Sequence, residues 1–388
     1  MHSKRFSPVL SFACCSAVLL VLFCLAPGLK PETHSLQEPP NSYARAEAVS
    51  WPQADRLFRS DPRWLGGDAA FSVDLGHGRV LWMFGDSFIA AKAGETRRQT
   101  AFVRNSVAIE TGYDPASATI HFYSGRRHGQ LASFMPSEGA TWFWPLQGIR
   151  IGRHLLLFYM RETRDPDKHS LGFRSVGWSA FMIDNPDAEP SHWKPRKLDG
   201  PEMQSKLFIG MAVLREAAFV YAFVLNDATH NAYLLRWRTD EAAAGRLSSP
   251  RWWCGAAQGW QPNSRCRQIV ITDAGSEFSV QRGPRGGFLE VNSAGFGAST
   301  IVLRHSARLQ GPWSTPEMLY RPPESNAPQA FVYGAKAHPE LHGADLIVTY
   351  TANGSDERLA TDMSIYFPRF VRVTFLAQPR GLAQQRRP

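Results

Sequence analysis

The chain has 388 residues, of which 44% are hydrophobic, and it contains 12 Trp, 24 Phe, 31 Gly and 27 Pro. This composition favours many short strands and turns over long helices, and the length suits one large all-β domain as well as two or three average domains. The net charge of +9 includes six basic residues near the two termini. The remaining body is only weakly basic and has no Lys/Arg block, which excludes a typical nucleic-acid partner.

The N-terminal segment, residues 1–29, has two basic residues ahead of a mostly apolar run from Val9 to Ala26. This pattern predicts a secretory signal peptide or a retained membrane anchor. Either alternative exports the rest of the chain, so we expect a periplasmic, membrane-anchored or extracellular protein. Residues 30–50 are polar, contain proline and predict a linker, and residues 379–388 form a basic tail.

The stretch Gly66–Asp86 predicts a β-hairpin with an aspartate at each open end. Apolar residues alternate before a Gly-His-Gly turn and run on continuously after it. With a three-residue loop, Leu75 lies opposite Arg79, and the same register places Asp68 opposite Asp86. Opposite residues of antiparallel strands have Cβ atoms about 4.5–5.5 Å apart. Two carboxyl groups that close either share a proton or take part in chemistry.

The same hairpin pattern recurs four more times between residues 51 and 378, and each hairpin is followed by another apolar strand. The predicted hairpins are Ala69–Phe84, Trp144–Met160, Ile209–Leu225, Glu277–Asn292 and Ala335–Asn353. The following strands are Ser106–Glu110, Gly177–Ile183, Ala232–Arg238, Ser299–His305 and Phe370–Phe375. We therefore predict an all-β fold, a five-bladed β-propeller over residues 51–378, with a pair of two-sheet sandwiches as the alternative.

The first hairpin also resembles a known family. The motif WLGGDAAFSVDL, continued by GRVLWMFGDSF and RNSVAI, is similar to the opening blade of glycoside hydrolase family 183, formerly domain-of-unknown-function family 4185. A more distant similarity links the chain to five-bladed propeller glycosidases such as family 43. The resemblance covers most of Asp55–Phe375 and implies retaining hydrolysis of a D-arabinan-type polysaccharide. It also implies that Asp68 and Asp86 are the two catalytic aspartates.

We expect an exported glycoside hydrolase that acts on a polysaccharide or glycoconjugate with two carboxyl groups. Retaining enzymes place these groups about 5–5.5 Å apart. Asp68 begins an inner strand and is expected to be the nucleophile, with Asp86 as the acid/base. The structural alternative is that both aspartates only stabilise turns. The functional alternative is a non-catalytic carbohydrate-binding propeller of the cell envelope.

Five further residues are candidates for sugar binding. Glu277 begins the fourth inner strand, and His338 and Glu340 alternate along a predicted strand, which places both on one face. Asn105 follows the insertion of the first unit, and Trp144 begins the second hairpin, where it can stack on a sugar. Each has a structural alternative, as a core residue for Trp144 and a surface acid for Glu277.

Metal and cofactor chemistry has little support in the sequence. There is no carboxylate-rich cation loop, nucleotide-binding loop or dinucleotide fingerprint, so we predict no metal and no cofactor. Arg104 and Lys336 could bind sugar hydroxyls or an acidic sugar. The basic ends could contact a membrane surface, and we expect a monomer whose partner is carbohydrate.

Three of the five cysteines lie in the predicted leader, and Cys254 and Cys266 remain. Because they flank a short Trp-containing loop, they predict a disulfide in an oxidising compartment, with two unpaired thiols as the alternative. Two cysteines without paired histidines nearby are too few for a structural zinc site.

Overall fold

The computed structural model describes residue 43 and residues 45–167, 171–295, 297–328 and 331–376. The predicted leader at 1–29 and the basic tail at 379–388 lie outside these residues. The described part is all-β, with 49% of residues in strands and 9% in helices, which confirms the predicted fold class at this level. Within that part, no helix is long and apolar enough to cross a membrane.

The strands are short, and all of their pairings are antiparallel. In chain order they are β1 (Ala46–Ser50), β2 (Trp64–Gly67), β3 (Phe71–Gly76), β4 (Arg79–Phe84), β5 (Ser87–Ile89), β6 (Ala101–Val103), β7 (Ser106–Thr111), β8 (Thr119–Tyr123), β9 (Gly125–Arg127), β10 (Gln130–Ala132), β11 (Trp142–Ile151), β12 (His154–Arg164), β13 (Phe173–Ile183), β14 (Arg196–Leu198), β15 (Leu207–Glu216), β16 (Phe219–Asn226), β17 (Asn231–Arg238), β18 (Arg251–Trp253), β19 (Trp260–Gln261), β20 (Ile269–Ile271), β21 (Phe278–Arg282), β22 (Phe288–Ala294), β23 (Thr300–Ser306), β24 (Glu317–Tyr320), β25 (Phe331–Ala337), β26 (Leu346–Asn353) and β27 (Arg369–Phe375).

The helices are short connections between these strands. The α-helices are α1 (Pro52–Asp55), α2 (Thr239–Ala243) and α3 (Asp356–Thr361). The 3₁₀ turns are Leu57–Arg59, Arg97–Gln99, Pro190–His192, Ser264–Cys266 and Pro323–Asn326. None of the helices in the described residues is long enough to form a layer of its own.

Five sheets of four or more strands follow one another along the chain. They are β3-β4-β7-β8, β11-β12-β13-β14, β15-β16-β17-β18-β19 with β20 paired to β17, β21-β22-β23-β24, and β25-β26-β27-β1. Each contains one of the predicted hairpins and the strand predicted to follow it, so those predictions are confirmed. The first strands of successive sheets are neighbours, because β11 contacts β3 and β15, and β21 contacts β15 and β25.

The strand β1 belongs to the sheet formed by the last part of the chain. It pairs with β27 from Ala46 opposite Phe375 to Ser50 opposite Val371. The prediction of a linker over residues 30–50 is therefore wrong for its last five residues. The sequence AEAVS lies at a sheet edge and is mostly exposed, so it lacks the apolar pattern that predicts a strand.

The turn of the first hairpin is shorter than predicted. Gly76 lies opposite Arg79, and both residues between them have positive φ, 55° at His77 and 75° at Gly78. Such a two-residue turn matches the twist of the flanking strands. An irregularity between Asp74 and Gly76 absorbs the difference, so the predicted pairs further along the hairpin, Val73 with Leu81 among them, are present.

Candidate functional site

Asp68 and Asp86 lie opposite each other between two paired stretches of backbone. Strands β2 and β5 pair Gly67 with Ser87, and strands β3 and β4 pair Phe71 with Met83 in the same register. The amide of Gly85 donates to the carbonyl of Asp68 at 3.1 Å. The two aspartates are therefore held together by the strand pairs on either side of them.

The backbone around these aspartates adopts uncommon conformations. Ala69 and Ala70 have φ values of 64° and 52°, and Tyr366 has a φ of 64°. The amide of Gly67 donates to the carbonyl of Tyr366 at 2.9 Å, which joins the last part of the chain to the first hairpin. Left-handed conformations of residues other than glycine cost about 1–3 kcal/mol each and concentrate at functional sites.

Asp86 accepts hydrogen bonds from two strong donors. The Arg104 guanidinium donates to Oδ2 at 3.0 Å, and the indole Nε1 of Trp144 donates to Oδ1 at 2.9 Å. Arg104 is itself stacked on the ring of Trp142, with 4.3 Å between its Cζ and the ring centroid. Burial raises the pKa of Asp86 to about 6, while Arg104 and then Trp144 act to lower it.

Asp68 accepts a hydrogen bond from a neutral donor. The Tyr333 hydroxyl donates to Oδ2 at 2.7 Å, and the Tyr366 hydroxyl also interacts with this carboxyl group. Burial, followed by the negative charge of Asp86, raises the pKa of Asp68 to about 7. Tyr333 opposes this shift, because its hydrogen bond stabilises the ionised carboxylate.

A third carboxylate, Glu277, lies within electrostatic reach of Asp68, since its charge further raises the pKa of Asp68. Its Oε2 forms an ion pair with the Lys336 ammonium, which also donates to the carbonyl of Gly334 at 2.8 Å. Lys336 is buried and lies 4.4 Å from the centroid of the Phe71 ring. The lysine therefore neutralises a carboxylate of the protein itself.

The arrangement of these acids can be set beside known proteins. The family model described as a domain of unknown function, DUF5005, matches residues 53–376. The chain belongs to this family. No curated protein matches it in sequence. The finer resemblance to glycoside hydrolase family 183 stays a prediction.

Solved structures extend the comparison to the fold. A protein from Bacteroides ovatus ATCC 8483, provisionally described as a hydrolase, aligns with a TM-score of 0.66 at 17% identity, over 84% of this chain and 90% of that one. It shares the fold of this DUF5005 protein. Weaker alignments include a family 62 α-L-arabinofuranosidase of Coprinopsis cinerea (TM-score 0.44, 12% identity, 80% and 90% covered) and a thermostable family 43 glycoside hydrolase (0.39, 12%, 82% and 91%).

Two residues predicted to bind sugar are instead satisfied core residues of the DUF5005 fold. His338 is 1% exposed, and its two ring nitrogens lie 2.6 Å from the Ser72 hydroxyl and 2.7 Å from the Thr349 hydroxyl. Asn105 is also buried and binds the backbone of Met135 and Phe143 through its side chain. Both ring nitrogens of His338 and both amide hydrogens of Asn105 are bound within the protein core, so both predictions are wrong.

Glu340 is not part of the acid pair either. The predicted strand ends at Ala337, and residues after Pro339 turn away, so His338 and Glu340 do not alternate along one strand. The neighbours of the Glu340 carboxyl group are Ser72 and Asp74, and burial raises its pKa to about 7. Its charge also acts on the buried Glu110. The buried Oε1 of Glu340 has no hydrogen-bond partner among the described residues, so its binding of sugar stays a prediction.

The remaining predicted residues have defined places. Trp144 and Glu277 lie with the acid pair, as described above. Cys254 and Cys266 form a disulfide with a Cα–Cα distance of 5.2 Å, beside the outer strands of the third sheet. Among the described residues, no group of three or more His, Cys, Asp or Glu side chains could hold a metal ion.

Two tyrosines of the site, Tyr333 and Tyr366, were not predicted. Tyr333 is 265 positions from Asp68 in sequence, and no local pattern relates the two. Tyr366 lies between the last predicted hairpin and the strand predicted to follow it, so its sequence position does not indicate a role for the hydroxyl. Only the packing of the fifth sheet beside the first hairpin brings them to the aspartates.

Proposed function

We propose that this protein is a glycoside hydrolase and that the five large sheets are the blades of a closed propeller around its site. The observation that supports this most is the unequal pair of partly buried carboxyl groups. Asp68 and Asp86 face each other, yet one is bound by the Tyr333 hydroxyl and the other by the Arg104 guanidinium. Glycosidases require one carboxyl group that holds a proton and one that is ionised.

The hydrogen-bond donors assign the two roles. An arginine stabilises the ionised form of Asp86, whereas burial and the charge of Asp86 favour the protonated form of Asp68. We therefore assign Asp86 as the nucleophile and Asp68 as the acid/base. This is the reverse of the assignment expected from the sequence, which rested on strand position alone.

The reaction then follows in two steps. Asp68 gives its proton to the glycosidic oxygen while Asp86 attacks the anomeric carbon, so the leaving sugar departs and a glycosyl ester forms on Asp86. Asp68 next removes a proton from water, which attacks the anomeric carbon and releases Asp86. Direct opposition of the two residues across antiparallel strands supports the short carboxyl separation of a retaining enzyme.

We also propose that the protein acts outside the cytoplasm on a polysaccharide. The apolar leader and the Cys254–Cys266 disulfide support export, because disulfides persist in oxidising compartments. The motif of the first hairpin supports an arabinan-type substrate.

A glycan panel tests this proposal. Wild-type protein, Asp68→Asn and Asp86→Asn are incubated with arabinan, xylan and galactan, and released reducing sugar is measured. We expect wild-type turnover of at least one glycan, and a loss of about 10²–10⁴-fold in each variant. Asp74→Asn is the matched control, since Asp74 is an exposed aspartate on the same hairpin. This variant should keep the activity of the wild type.

One outcome favours the binding protein instead. If a glycan binds to the wild type and to both variants with no turnover in any of them, the hydrolase proposal is wrong. Folding of each variant is checked by its thermal melting temperature. Substitution of aspartate by asparagine keeps the size of the side chain, so a loss of activity without a loss of folding reports on chemistry.

A further inference from the structure

Beside the acid pair lies an aromatic surface that the chemistry above does not use. Strands β5 and β6 pair Phe88 directly with Phe102, and their ring centroids are 5.1 Å apart. Phe102 is 47% exposed. Among the exposed large hydrophobic residues of the described part of the chain, it is the only aromatic one.

Each ring of this surface contacts a residue that binds Asp86. The Arg104 guanidinium lies 5.2 Å from the centroid of Phe102 and donates to the Asp86 carboxylate. Phe88 meets the ring of Tyr366 edge-on at 5.7 Å, and the Tyr366 hydroxyl donates to the Asp86 carbonyl at 3.0 Å. The surface formed by Phe88 and Phe102 therefore adjoins the proposed site on the Asp86 side.

The chemistry of this surface fits a sugar. A pyranose or furanose ring has an apolar face that stacks on an aromatic ring, and its hydroxyls need polar partners at the edge. Phe102 supplies the ring without a polar atom of its own, and Arg104 supplies a charged donor next to it. Sites for small ligands combine apolar area with a few such polar groups.

We propose that Phe102, supported by Phe88, is the platform for a second sugar unit of a chain whose neighbouring unit lies at the two aspartates. This inference rests on the proposed glycosidase function and adds a binding position for the second sugar unit of the polysaccharide, which a single sugar with a small leaving group does not occupy. An oligosaccharide stacks its second sugar unit on Phe102, whereas a single sugar with a small leaving group does not reach this ring.

Kinetics on long and short substrates test the platform. The probes are the arabinan tetrasaccharide and 4-nitrophenyl arabinofuranoside, or the matching pair for whichever panel glycan the wild type hydrolyses. We expect Phe102→Ala to lower kcat/KM for the tetrasaccharide about tenfold, through KM, and to change the nitrophenyl glycoside less than about twofold. Phe102→Trp restores the tetrasaccharide value, because it keeps an aromatic face.

The control is Ile269→Ala, since Ile269 is 46% exposed and lies on the outer part of the third sheet. It should leave both substrates unchanged. If Phe102→Ala lowers kcat/KM equally for both substrates, or shifts the pH dependence of kcat/KM, Phe102 acts by positioning Arg104. The proposed platform is then wrong. No change with either substrate is equally contradictory. Failure of the wild type on every glycan would instead remove the proposed function itself.

Discussion

Asp68 and Asp86 differ in their donors, and this difference has a measurable consequence. The proposed reaction needs Asp86 ionised, with a pKa of about 6, and Asp68 protonated, with a pKa of about 7. We predict that kcat/KM is greatest between these two pH values, falls below them as Asp86 gains a proton, and falls above them as Asp68 loses one.

Tyr333 provides a direct test of the alkaline side. Tyr333→Phe removes the donor that stabilises ionised Asp68, so the pKa of Asp68 rises further and the alkaline limb moves to higher pH. The measurement is kcat/KM against pH. Tyr350→Phe is the control, because Tyr350 is a buried tyrosine of the fifth sheet that likewise donates to a carboxylate, that of Glu324. A limb that stays in place in Tyr333→Phe would contradict the assignment.

Gly85 tests how closely Asp68 must be placed. A Cβ atom at Gly85 would lie 2.5 Å from Oδ1 of Asp68, and the backbone there does not need positive φ. We predict that Gly85→Ala folds, because the end of a side chain can shift, but moves the carboxyl group. A displacement of about 1 Å can cost roughly 10²-fold in rate. Full activity in folded Gly85→Ala would show that the position of Asp68 is unimportant.

The sequence could predict the aspartates but not their partners. Asp68 and Asp86 lie in one hairpin, whose register follows from apolar alternation. Tyr333 comes from a strand at the other end of the chain, so its contact depends on tertiary packing. His338 was misassigned because a polar residue next to an apolar strand has the same local pattern whether it faces a pocket or the core.

A buried arginine binds the segment between α3 and β27 to the strand β2. Arg97 is 3% exposed and donates to the carbonyls of Leu65, Leu359, Asp362 and Ile365. This clamp spans more than 250 positions of sequence. Arg97 binds the segment that contains Tyr366, so loss of this arginine should also disturb the position of Tyr366 in the site.

We predict that Arg97→Met destabilises the fold by about 3 kcal/mol, because buried carbonyls lose a charged donor. Arg98→Met is the matched control. Arg98 is next in sequence and pairs with Glu357, but both side chains are more than half exposed, so its loss should cost less than about 1 kcal/mol. Urea unfolding of both variants gives the comparison. Equal stability of the two variants would contradict the clamp.

Among the elements, the hairpins were predictable and the strand β1 was not. The strands of the hairpins are largely buried and rich in Phe, Tyr, Val and Leu, so their apolar sequence pattern is strong. Strand β1 is exposed at an edge and pairs with a strand more than 300 positions away. An exposed edge strand needs no apolar face, so the sequence of β1 lacks the apolar pattern that predicts a strand.

Across the whole molecule, burial raises the pKa of many carboxyl groups. The groups with a raised value of about 6 to 8 are Asp68, Asp86, Glu110, Glu162, Glu290 and Glu340. Their ordinary values are 3.8 for Asp and 4.5 for Glu. Between about pH 4.5 and 8 the folded chain therefore holds protons that the unfolded chain has released, so stability falls as pH rises.

We predict a higher melting temperature near pH 5 than near pH 8. Glu110→Gln should weaken this dependence, because Glu110 is fully buried and its pKa is raised to about 8. Glu357→Gln is the control, as an exposed glutamate. Calorimetry at both pH values provides the measurement. A melting temperature that rises from pH 5 to pH 8 would show that these carboxyl groups are ionised in the folded state.

The proposed roles of Asp86 as nucleophile and Asp68 as acid/base are tested most directly by trapping the glycosyl ester. Asp68→Asn is mixed with the dinitrophenyl glycoside of the sugar that the wild type releases, since this leaving group needs no acid. We predict a mass increase of one sugar unit in Asp68→Asn, located on Asp86 by peptide mapping, and no mass increase in Asp86→Asn. An adduct on Asp68 in Asp86→Asn, or turnover with inverted configuration and no adduct, would contradict it.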